Sequence, residues 1–202
     1  MNWGSVLSAI IGAVIGGAFL LFGQRYVVRE KHKKAKRIVL LESLRNIESL
    51  INNVKTISQD NQNPMGVQVT LNVKIDAFLR YEEDLMSKRL GEFQEISKLM
   101  TTIQKAKEKT RLWMPGINIP SDAPQESRKT LHELIETCVK LVTILSRRVG
   151  SSELKKVKKE ELITEAHHQL KALENSQQSF MLVPPYEEWP YSMKFPTNQE
   201  LL

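Results

Sequence analysis

Several residue groups have the types from which chemistry could be built, and each falls short of a site. His132-Glu133-Leu134-Ile135-Glu136 opens like the pattern that sets two zinc-binding imidazoles on one helix face. Glu136 stands where the second histidine must be, so the run reads as a helix surface. Glu165-Ala166-His167-His168 holds one Glu-x-x-His, whereas a di-iron site inside a bundle takes two such pairs and further glutamates. Adjacent histidines also point about 100° apart on a helix, too far to share a metal. Cys138 lies on an apolar periodicity with no basic neighbour to activate it, which makes it a packing residue. As the single cysteine it excludes an internal disulfide and cysteine-cluster metal sites, and it fits a reducing compartment.

Five of the nine glycines fall within the first 23 residues and the rest are isolated, so neither a phosphate loop nor a dinucleotide fingerprint is present. No Gly-x-Ser-x-Gly occurs either. No catalytic constellation, metal site or cofactor is expected, and the chain does not read as an enzyme.

The elements that would position a site begin with Trp3 to Phe22, which holds no charge and no proline. As a helix these residues would extend roughly 30 Å, the hydrocarbon thickness of a bilayer. Trp3 and Tyr26 bracket the run where interfacial aromatics belong. The expectation is a transmembrane helix over 1–24. A cleaved signal peptide fits less well, since the basic residues follow the apolar run and it ends in Phe-Gly-Gln-Arg.

Inside that run two small residues alternate with two large ones. Gly4, Ser8, Gly12 and Gly16 make one small row, and Ser5, Ala9, Ala13 and Gly17 make the row beside it. Small-xxx-small rows let helix backbones approach closely, which predicts self-association of this helix with other copies. A two-wide small face can also meet a neighbour's bulky ridge head to tail and close into a ring, while dimerisation is equally compatible.

The net charge of +6 is local. Arg25, Arg29, Lys31, Lys33, Lys34, Lys36 and Arg37 form a basic collar over 25–37 opposed only by Glu30, and the other 22 basic residues are matched by 22 acidic ones. The collar would meet anionic lipid headgroups and, by the positive-inside rule, leave the N-terminus outside and the rest in the cytoplasm. A nucleic-acid partner is not expected.

Between prolines the remainder reads as helices. The first continues from the membrane to about Ser58, so anchor and first helix form one rod. Val67, Val69, Leu71, Val73 and Ile75 alternate like a strand, but helical spacing from Ile75 onward and the lack of a partner strand favour a helix over about 68–110. The strand alternative would pair with another protomer. A loop with Trp113 follows. Helices are then expected over about 124–149 and from Ser151 to about Phe180, the latter with a solvated lysine face at 155, 156, 158 and 159. The fold class is therefore all-α: one transmembrane helix, a cytosolic four-helix bundle over 38–181, and an extended aromatic and proline tail over 182–202. Tyr186, Trp189, Tyr191 and Phe195 in that tail are too apolar to float freely and are expected to lie across the bundle, a neighbouring subunit or a separate protein.

The four-residue repeat over 4–17 resembles the glycine zippers of some membrane channels and pore-forming peptides. A glycine-rich span before a compact helical domain looks like the small membrane accessory proteins of RNA-targeting CRISPR systems and other anti-phage effectors. Some of those carry a domain similar to the HEPN ribonucleases, whose motif sets four to six residues between Arg and His. Here Arg128 to His132 has three between, and Arg25 to His32 has six but lies in the collar. The resemblance implies a homo-oligomeric pore or membrane-perturbing effector in a bacterial inner membrane, assembled or gated by the bundle. A non-conducting anchored scaffold recruiting a cytosolic partner, and an anchored HEPN-like RNA-binding or RNA-cleaving module, stay open as alternatives.

Overall fold

The computed structural model describes residues 3–59, 67–86, 90–111, 121–147 and 156–188, with side chains described from residue 12 onward and not for residues 90, 156 and 157. Helix α1, Trp3–Gln59, is one uninterrupted rod of 57 residues. Nothing in it breaks a helix: the first proline of the chain is Pro64. Only its second half packs. From Ala35 onward Val39, Leu40, Ile47, Leu50, Ile51, Val54 and Ile57 turn into the core at helical spacing, whereas from Gly12 to Lys31 nearly every residue is exposed.

Helix α2 covers Asp76–Met86 with a kink at Tyr81, α3 Leu90–Arg111, α4 Ala123–Ser146 and α5 Lys156–Asn175. Helix α4 carries Pro124 in its first turn, where the missing N–H is harmless. It is the centre of the fold, packed against α1, α3 and α5. Leu131, Leu134, Ile135, Cys138, Leu141, Val142 and Leu145 are all fully buried on it. The four segments α1, α3, α4 and α5 give the helical bundle, but the chain is not all-α. Strands β1, Val67–Thr70, and β2, Phe180–Val183, pair in parallel, with Val67 opposite Phe180 and Thr70 opposite Val183.

The helix expected over 68–110 is thus corrected to a strand, an extended segment and two helices. The reason is where the backbone bonds go. Val67 donates to Ser179 O and Leu71 to Val183 O, and the ladder stops where Pro184 and Pro185 bring no N–H. Burial nevertheless alternates from Val67 to Ile75 without a break. Beyond the ladder, α1 supplies the partners. Asn53 donates to Thr70 O, Asn46 both donates to Lys74 O and accepts from Lys74 N, and Glu42 accepts from Ala77 N at the start of α2. The partner strand lies within the same chain, not in another protomer.

Helix α5 also ends earlier than expected, at Asn175, because Arg128 on α4 donates to Leu173 O and to Gln178 O and stacks over the Phe180 ring. The guanidinium satisfies carbonyls that a further helical turn would have used.

The transmembrane helix is corrected as well. Among the described residues no helix is long and apolar enough to cross a membrane. The membrane-protein reading, its single span and the inner-membrane placement with the N-terminus outside go with that finding.

Candidate interaction site on the α1 arm

Residues 12–31 of α1 form an arm of about 30 Å that touches little else among the described residues. Its side chains are of the kind that folding normally hides. Val14, Ile15, Phe19, Leu20, Leu21, Phe22, Tyr26, Val27 and Val28 are all exposed, Phe19 to 75% and Phe22 to 70%. They point to every side of the helix, since positions 19 and 20 lie on one face and 14 and 21 on the opposite one. A groove runs along the first face, lined by Gly16, Phe19, Leu20, Gly23, Gln24, Val27 and Val28.

Among the described residues the glycines have no explanation. A Cβ added at Gly12, Gly16, Gly17 or Gly23 would meet nothing within 4 Å. Ala13 is exposed beside them. The side chains of Gly4, Ser5, Ser8 and Ala9, the rest of the expected small rows, lie outside the described residues.

At the root of the arm the collar divides. Lys36, expected at a membrane surface, is 6% exposed and bonded to Glu92 on α3, with Arg147 O at 3.5 Å. His32 Nδ1 lies 2.9 Å from Asp84 O. Lys33 pairs with Glu30 at 2.9 Å along the helix. Arg25, Arg29, Lys31, Lys34 and Arg37 are exposed.

The other sequence-derived candidates do not converge on the arm. Arg128 is engaged with backbone carbonyls and Phe180, as described, and His132 faces Glu174 at 3.1 Å. Tyr186 starts a 3-10 turn, Tyr186–Glu188, laid over the chain's own bundle: Glu188 bridges Arg111 at 2.9 Å and Lys107 at 3.3 Å. Partial burial works to raise the Glu188 carboxyl, but Arg111 and Lys107 outweigh it and hold it below the usual carboxylate range. Trp189, Tyr191 and Phe195, like Trp113 and Ser151, lie outside the described residues. Cys138 is buried, which pushes its thiol up to about 12. Among the described residues no group of three or more His, Cys, Asp or Glu is placed to hold a metal ion.

Sequence reasoning missed the polar row Glu42, Asn46 and Asn53. Its signal was present: three hydrogen-bonding side chains four and seven residues apart share one face of α1 beside its apolar stripe. Comparison with known proteins finds no matching family model, no matching curated protein and no matching solved structure.

Proposed function

We propose that the chain is a non-catalytic assembly protein that forms homo-oligomers by packing the α1 arms of several copies together, the bundle being the part each copy displays. The observation that carries this reading is the apolar arm. Nine large apolar side chains stand exposed between Val14 and Val28. Together they present roughly 1,000 Å² of side-chain surface, against about 800 Å² per partner in a standard interface and 300–600 Å² for the largest patch of a typical monomer. Because they cover every side of the helix, neighbours on more than one face are needed to bury them.

The glycines support the same reading. Each glycine in a helix interior costs about 0.5–1 kcal/mol relative to alanine, and the four in the arm relieve no contact among the described residues. Close approach of a second helix supplies the missing reason. The pore and the anchored scaffold are not carried forward, since both need the membrane span.

Light scattering on the full chain tests the reading. The wild type is expected at a multiple of 23.2 kDa, and Gly16→Leu/Gly23→Leu, which fills open space in the monomer, at the monomer mass. A monomeric wild type refutes it. The resemblance to anti-phage accessory proteins gives such an assembly a setting, and phage challenge of cells carrying either form tests that setting separately.

A further inference from the structure

We propose that neighbouring arms run antiparallel, related by a two-fold axis near Phe19 and Leu20, an inference that rests on the assembly reading above. The groove residues are spaced as helix packing requires. Gly16, Phe19, Leu20 and Gly23 are positions i, i+3, i+4 and i+7, the four corners of one hole for a facing side chain, and Leu20, Gly23, Gln24 and Val27 are the corners of the next. Glycine at two corners of the first hole leaves it deep, and among the described residues nothing lies where a Cβ would stand.

Charge then selects the direction. The arm is uncharged through Gln24, and beyond it Arg25, Arg29, Lys31 and Lys34 stand exposed. The one acid among them, Glu30, is already bonded to Lys33. Parallel neighbours, with axes about 8–10 Å apart, would set these collars side by side at about one Debye length, where repulsion is only partly screened. In a bilayer every collar would have to lie on one side; without that constraint, repulsion decides. Antiparallel arms centred between Phe19 and Leu20 place Gly12 opposite Val27, Gly16 opposite Gly23 and Arg25 opposite Val14. The two Arg29 side chains then sit roughly 28 Å apart along the axis, several Debye lengths. The pairing uses the same surface on both copies, so it is self-complementary.

Disulfide trapping in the full chain distinguishes the arrangements. Gly12→Cys adds a side chain in open space, and Val27 is 51% exposed, so neither change disturbs the bundle. The native Cys138 is buried and can stay. Under mild oxidation a mixture of the two single variants is expected to give a cross-linked dimer, whereas each variant alone gives none. Cross-linking of Val27→Cys with itself shows parallel arms and overturns the proposal, as does an oligomeric protein whose mixture fails to cross-link. A wild type that is monomeric by light scattering removes the assembly reading itself. If that monomer co-sediments with phosphatidylglycerol vesicles, a lipid surface and not a second copy covers the arm.

Discussion

Replacing Asn46 with alanine tests whether α1 side chains hold the extended segment in place of a third strand. Asn46 is 3% exposed; its Nδ2 donates to Lys74 O at 2.8 Å and its Oδ1 accepts from Lys74 N at 3.0 Å. Alanine removes both bonds, each contributing about 1 kcal/mol net, and leaves a partly buried amide and carbonyl with imperfect access to water. The expected loss is about 2–3 kcal/mol, a large fraction of the roughly 5–15 kcal/mol that domains of this kind possess. With a urea dependence of about 2 kcal/mol per molar, the unfolding midpoint should fall by about 1–1.5 M at pH 7, read by far-ultraviolet circular dichroism. Asn53→Ala is the internal control. It deletes one exposed bond, 3.1 Å to Thr70 O, and should cost under about 1 kcal/mol. Equal midpoints for the two variants would show that Asn46 is dispensable and that the segment is held by its apolar side chains alone.

Arg128→Ala should cost about 2–4 kcal/mol in the same assay, since it releases Leu173 O, Gln178 O and the Phe180 stack together, and Arg128→Lys should recover only part of it because one ammonium cannot span both carbonyls. Burial raises the Glu42 carboxyl above its usual value, partly offset by the Ala77 amide. The folded state therefore binds that proton more tightly than the unfolded state, so the Glu42 contribution makes stability rise as pH falls through the raised value toward the unfolded one. In Glu42→Gln this contribution should vanish, which urea midpoints at pH 5 and pH 7.5 will show. Glu188 has the opposite sign: its stabilisation is complete above the unfolded carboxylate value and lost as pH falls through the lower folded one. Glu188→Gln should cost under about 1 kcal/mol at pH 7, and the cost should shrink as the pH is lowered below the ordinary carboxylate range. Cys138 should resist iodoacetamide at pH 8 in the native protein and react fully in urea, as expected of a buried thiol pushed up to about 12.

The sequence by itself determined the helices whose burial is periodic and long. The stripe from Val39 to Ile57 and the run from Leu131 to Leu145 could be buried in only one way, and the absence of proline before Pro64 made α1 a single rod. The local charge of the collar and the small rows of the arm were equally legible, because they depend on residue type and spacing alone.

Two things were decided only in three dimensions. The first is the strand at Val67–Thr70. Its alternation was visible, but a strand needs a partner, and Phe180–Val183 lies more than a hundred residues away behind four helices. A run of four apolar residues before Pro184 and Pro185 has no period that separates strand from helix end; Arg128, reaching across from α4, settles it. The second is the fate of individual polar side chains. Lys36 read as one more collar charge and is instead buried against Glu92, and Arg128, whose place in the packing the sequence did not reveal, closes α5. A sequence gives the charge and reach of such a side chain, but whether it ends in water or in an ion pair depends on which helix packs beside it, and that is a property of the whole chain's burial.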